Sequence, residues 1–163
     1  MTQEDMIKGR IAEAIVKCMF EDLGFEVIPY GYEHTCPTIA KKDRLIKGDV
    51  KNIIRKAPDF IIINKEGNAT FIEVKYRADG VFKKETDYPW DCYIILLSKD
   101  YIGVEQYKNL DDETTMTSND FNPDFKKAGS GNFKSLLDVP LFKGLDKNII
   151  LSNRDLLKKY MKD

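Results

Sequence analysis

The chain has 163 residues, 42% hydrophobic and 11% aromatic, which suits one domain with a real core and excludes general disorder. Acid and base nearly cancel, 27 Asp and Glu against 26 Lys and Arg, so no global basic field draws the chain to nucleic acid. No apolar run approaches the roughly 20 residues that span a bilayer, Met1-Thr2-Gln3-Glu4-Asp5 lacks the form of a signal peptide, and three cysteines without paired spacing predict reduced thiols, so a cytoplasmic protein with no membrane partner is the default expectation.

The first helix is predicted from about Gln3 to Leu23, closing at Gly24. Ile7, Ile11, Ile15 and Cys18 recur at helical spacing, and Val16, Met19, Phe20 and Leu23 widen that apolar stripe. Arg10, Lys17 and Glu21 face solvent, and Glu13 falls between the two faces, where a carboxylate needs a partner or a metal. A surface pairing of Glu13 with Arg10 or Lys17 is the plainer alternative. Phe25 to Tyr30 alternates as a strand, at a sheet edge given Pro29.

Residues 31–56 read as a polar loop with a short helix around Val50 to Arg55. This insertion is basic: Lys41, Lys42, Arg44, Lys47, Lys51, Arg55 and Lys56 oppose only Asp43 and Asp49. Such a run is a solvated surface unless a functional motif adjoins it, and here it leads into Ala57-Pro58-Asp59-Phe60. Ile61, Ile62 and Ile63 continue a strand, Asn64-Lys65-Glu66-Gly67-Asn68 makes a turn, and Phe71-Ile72-Glu73-Val74-Lys75 forms the returning strand.

Beyond Lys75 the segment from Ala78 to Asp91, with Gly80 and Pro89, predicts an irregular crossover. Cys92 to Leu97 is continuous in apolar character, as buried parallel strands are, and Tyr101 to Tyr107 supplies a partner strand. Residues 109–135 read as a flexible acidic loop, with Asp111, Asp112, Glu113, Asp120 and Asp124 and no base between 111 and 124. Asn148-Ile149-Ile150-Leu151 reads as a last short strand, after which Ser152 or Asn153 caps a final helix.

The two strands of the hairpin carry the chemistry. Side chains alternate along a strand, so Glu73 and Lys75 share a face, and a neighbouring strand brings Asp59 toward them. Two close carboxylates repel unless a cation joins them, and hard oxygen ligands suit Mg²⁺. A lysine beside that metal polarises an attacking water. The tripeptide alone is a poor signal, because Asp49-Val50-Lys51 and Asp124-Phe125-Lys126 fit it too. What separates Glu73 and Lys75 is their β-branched strand, preceded by another such strand.

With Pro58-Asp59 and Glu73-Val74-Lys75 in that order, the chain resembles the PD-(D/E)xK nuclease superfamily, and within it members of the Holliday-junction-resolvase type. The likeness covers roughly residues 6 to 77, and Lys8 to Glu13 looks like the family's acid-bearing first helix. It implies a single α/β domain with a restriction-endonuclease-like core, a mixed central sheet flanked by helices in αβββαβ order. It also implies a metal-dependent DNA endonuclease. Glu13, Asp59, Glu73 and Lys75 would be catalytic, and Asp59, Glu73 and the Val74 carbonyl would hold Mg²⁺, with Mn²⁺ as substitute. The DNA, branched DNA included, would meet the basic insertion and Arg77, and a homodimer is the usual way to cut both strands.

Two rival readings stand beside this one. In the first, the fold is kept and the protein is an inactive DNA-binding or assembly subunit. In the second, the domain is an unrelated α/β fold whose Glu73 and Lys75 form an exposed cross-strand pair. A zinc site, a histidine-based triad and a P-loop lack support: His34 is the only histidine, and Gly129-Ser130-Gly131 has no P-loop lysine.

Overall fold

The computed structural model describes residues 1–99, 101–116 and 131–162. Helix α1 spans Gln3–Asp22 and opens on a capping box, in which the Thr2 hydroxyl accepts from the Asp5 amide at 3.1 Å and the Thr2 amide donates to Asp5 Oδ2 at 2.8 Å. Its buried face is Ala12, Ile15, Val16, Met19 and Phe20. The stripe expected through Ile7 and Cys18 lies off this face, for both are exposed. Ala12 and Met19 lie at its angular centre and Ile15 toward one edge, with Ile11 only partly buried beyond it.

Strands β1 (Glu26–Pro29), β2 (Phe60–Ile63) and β3 (Ala69–Tyr76) form an antiparallel meander with β1 at the sheet edge. At the hairpin, Asn64 Oδ1 accepts from the amides of Glu66 and Asn68 at 3.1 and 2.8 Å, and Gly67 takes φ +85°. That turn fixes the register on which the site depends. The segment before β2, expected as a polar loop with one helix, folds as three short helices, α2 (Tyr32–Thr35), α3 (Pro37–Lys41) and α4 (Asp49–Arg55).

The connection after β3 is irregular, as expected, and contains no helix, so the helix that αβββαβ order places after the third strand is absent. The connection holds strand β4 (Val81–Lys83) and returns to β5 (Tyr93–Leu97), which pairs parallel with β3, and β6 (Ile102–Gln106) closes the far edge antiparallel to β5. The result is a mixed five-stranded sheet of order β1-β2-β3-β5-β6 in a single α/β domain. Ile72, Val74, Ile95, Leu97 and Val104 pack with α1 and with α5 (Lys147–Tyr160) in one core cluster. A second cluster joins Ile94, Leu96 and Cys92 to Phe82, Leu110, Met116 and Phe133.

The structure departs from the sequence pattern in two further places. Asn148 to Leu151 belongs to α5, not to a strand: the Asp146 carboxylate accepts from the Asn148 amide at 2.8 Å as its cap, and Ile150, Asn153 and Leu157 fall on one buried face. The β-branched pair Ile149-Ile150 imitates a strand locally, and the 3.6-residue period overrides it. The ends of the expected acidic loop are also part of the fold. Strand β7 (Glu113–Thr115) pairs with β4, and Leu110, Met116, Phe133 and Ser135 are buried. Residues 117–130 of that loop, including Asp120 and Asp124, lie outside the described residues.

Gly103 in β6 is where the second cluster is tightest. A Cβ there would stand 2.7 Å from Met116 Sδ and 2.8 Å from Phe133 Cβ. Gly103→Ala is therefore expected to destabilise the domain by about 1–3 kcal/mol through overpacking, read as a lower urea midpoint with an unchanged m-value.

Candidate active site

The β2/β3 register pairs Phe60 with Ile72, and one step further places Asp59 opposite Glu73. Phe60 and Ile72 turn into the helix-covered core, so Asp59, Glu73 and Lys75 turn to the other face. Asp59 is held from both sides. Its carbonyl accepts from the Tyr30 and Gly31 amides at 2.8 and 3.3 Å at the end of β1, and its Oδ2 accepts from the Val74 amide at 2.8 Å.

Glu73 is 7% exposed, which removes the reading of an exposed cross-strand pair. Its Oε1 lies 2.5 Å from Lys75 Nζ, while its Oε2 is buried with no hydrogen-bond partner. Burial first, and then the charge of Asp59, push the Glu73 carboxyl up to about 8. Asp59 is also raised, by burial, against the lowering pull of the Val74 amide and Lys75. Burial works against the charge on Lys75, yet Glu73 and Asp59 hold its ammonium above the ordinary amine value.

Glu13 joins this electrostatic group from α1. Burial and then Asp59 push its carboxyl up to about 7. Lys17 is not its partner, since Lys17 pairs with Glu21 at 3.0 Å. Glu13 stands beside the cleft rather than in its lining.

A cleft of about 370 Å³ opens over Asp59, Glu73 and Lys75. Three segments wall it: Gly31, Tyr32 and Glu33 at the start of α2; Asn52 and Arg55 of α4 with Lys56 and Ala57 after it; and Glu85 with Tyr88 from the connection after β3. Of the predicted basic residues, Arg55 and Lys56 reach this cleft, and Lys56 pairs with Glu85 at 3.5 Å. Lys41, Lys42, Arg44 and Lys47 are exposed beyond it, and Lys51 is tied to the carbonyl and carboxylate of Asp43. Arg77 donates to the Tyr76 carbonyl at 2.8 Å and lines a separate groove with Asp5, Lys8 and Asp79.

Glu33, Glu85 and Tyr88 have no counterpart in the sequence reading. Glu33 sits on the single-turn helix α2 and Glu85 and Tyr88 on irregular segments, and only the fold brings them to the cleft over Asp59, Glu73 and Lys75. Tyr88 is anchored rather than loose: its ring stacks on Tyr107 at 4.4 Å, and its hydroxyl lies 3.6 Å from Cys92 Sγ.

The donor chemistry fits a small hard cation. Two converging carboxylates, one with a buried oxygen lacking a protein partner, are an arrangement that a divalent ion with oxygen preference relieves. Among the described residues no group of three or more His, Cys, Asp or Glu is set to hold a metal, so remaining positions would fall to backbone, water or substrate. No protein-family model matches the chain, and no curated protein matches it significantly.

Proposed function

We propose that this protein is a metal-dependent DNA endonuclease of the PD-(D/E)xK kind, with the restriction-endonuclease-like core as its fold. One observation carries the reading: Asp59 and Glu73 meet on one buried sheet face with Lys75 against Glu73, under an open cleft whose rim holds Arg55 and Lys56. Asp59 and Glu73 would hold Mg²⁺ or Mn²⁺, with the Val74 carbonyl as the family resemblance implies. Such an ion, when bound, supplies a water acidified toward neutral pH and neutralises charge on the reacting phosphate.

The protein's own groups do the rest. Lys75, kept charged by its two carboxylates, orients the nucleophile and offsets negative charge as it builds on the phosphoryl oxygens. Arg55 and Lys56 engage the phosphate backbone from the cleft wall, and the exposed Lys41, Lys42, Arg44 and Lys47 extend that contact without selecting sequence. Glu13 holds a proton near neutrality beside Asp59, which would suit it to exchange a proton with a water in the cleft.

Supercoiled, linear and branched DNA incubated with the protein over a series of Mg²⁺ and Mn²⁺ concentrations test this directly. Nicking that requires the metal is the expected result, and no cleavage of any DNA under any of these conditions would sink the proposal. The second reading, an inactive DNA-binding or assembly subunit, draws on the small number of carboxylates in the cluster and on the Lys75 contact that occupies one Glu73 oxygen. Calorimetric titration with Mn²⁺ separates the two, because an inactive site of that kind would bind no ion at Asp59 and Glu73.

A further inference from the structure

The basic insertion also exposes apolar side chains. Leu45 is 80% exposed, Val50 70% and Ile53 46%, on a segment whose other outward side chains are the bases Lys41, Lys42, Arg44 and Lys47, with Asp49 the one acid and Asn52 the one amide among them. Val50 and Ile53 lie three residues apart and so share a face of α4. Leu45 sits in the turn just before that helix, where its amide donates to the Lys42 carbonyl at 2.8 Å.

This segment is held in place from within. Lys51 reaches back to the carbonyl and carboxylate of Asp43, which closes the turn onto α4. On the cleft side the Trp90 indole donates to the Ile53 carbonyl at 2.9 Å, and Trp90 packs edge-on against Tyr30 and Phe71. Large apolar residues left outward on so fixed an element are not covered by the rest of the domain. The partner that covers them must be anionic where the lysines stand and apolar between.

We propose that residues 41–53 dock on unstacked bases of DNA: Lys41, Lys42, Arg44 and Lys47 hold the phosphates while Leu45 and Val50 cover base faces exposed at an unpaired or kinked step. Nucleic acid is favoured over an anionic membrane because the same short helix carries Asn52 and Arg55 into the cleft over Asp59 and Glu73. Apolar wedges placed between phosphate-binding side chains unstack base steps, and their cost is least where the bases are already open. The inference rests on the nuclease reading and adds to it a preference for DNA with unpaired bases beside the cleaved bond.

Fluorescence anisotropy with Ca²⁺ in place of Mg²⁺ compares a fully paired duplex with the same duplex carrying a short central bubble. The full-length protein is expected to bind the bubble at least about tenfold more tightly. Leu45→Ala and Val50→Ala, at exposed positions where folding is not at risk and checked by circular dichroism, are expected to erase that preference while leaving duplex affinity in place. Lys41→Ala with Lys42→Ala is expected to weaken binding to both DNAs alike. Equal affinity of the wild type for both DNAs, or a preference that survives the two apolar substitutions, overturns the inference. If such a protein still cuts DNA, the nuclease reading stands without it. Failure to bind or cut any DNA, with Leu45-dependent binding to phosphatidylserine vesicles instead, overturns both.

Discussion

Replacing Lys75 by alanine is expected to lower Mg²⁺-dependent DNA cleavage by about 10²–10³-fold, the loss typical of removing one preorganised group that stabilises transition-state charge. The ammonium is positioned for this by a strand, not by a loop. β3 carries Glu73 and Lys75 on one face, and the Glu73 carboxylate fixes Lys75 Nζ at 2.5 Å. The substitution leaves the fold in place, because Glu73 without its cation keeps its proton to still higher pH rather than forcing the strand apart. Circular dichroism and single-turnover cleavage at saturating metal therefore separate a chemical defect from unfolding. A folded Lys75→Ala protein that cleaves at the wild-type rate would remove Lys75 from the mechanism. Asp59→Ala is expected to fail more completely, through lost metal binding, and the Mn²⁺ titration reads that loss without reference to activity.

How far the site can be read from the chain depends on which parts of it are local. Asp59, Glu73 and Lys75 follow from alternation along two strands and from a five-residue turn whose Gly67 accepts positive φ, so hairpin register alone brings them together. Glu33, Glu85 and Tyr88 arrive on segments with no periodic signature, and sequence offers no measure of their distance to Asp59. The β4/β7 ribbon is hidden for a similar reason, since its pairing joins Val81 to Thr115 across the core strands. Helix-face errors have a different origin. Ile7 and Cys18 obey the period of α1, yet the buried face of the helix runs through Ala12, Val16, Met19 and Phe20, and an alanine carries little weight in a hydrophobic pattern. At Asn148 to Leu151 the local β-branched signal loses to the longer spacing of Ile150, Asn153 and Leu157.

Glu13, Asp59 and Glu73 are expected to give the metal-free protein a stability that runs opposite to that of most proteins as pH rises. The folded state holds the Glu73 carboxyl at about 8 and the Glu13 carboxyl at about 7, against an ordinary value of 4.5 in the unfolded chain, and Asp59 is raised as well. Between the unfolded and folded values the native state binds more protons than the unfolded one, so unfolding free energy falls as pH increases. The contribution is complete below about pH 4.5 and is lost as pH passes 7 and then 8. Lys75 titrates above this window and does not oppose it. The Tm of the metal-free protein is thus expected to drop by roughly 5–10 °C between about pH 5.5 and about pH 8.5. Millimolar Mg²⁺ should restore most of that drop at the alkaline end, since the ion binds the deprotonated pair. Asp59→Asn removes one charge and keeps an oxygen to accept from the Val74 amide. It is therefore expected to flatten the pH slope, to raise the metal-free Tm at alkaline pH and to abolish both metal response and cleavage. A site that weakens its own fold until a cation arrives is what a metal centre requires, and an ordinary structural ion pair would lose stability with the same substitution. Thermal melts of the two proteins across that pH range, with and without Mg²⁺, decide between them: a wild-type Tm that is level with pH and indifferent to Mg²⁺ would leave Asp59 and Glu73 with no role as a metal pair.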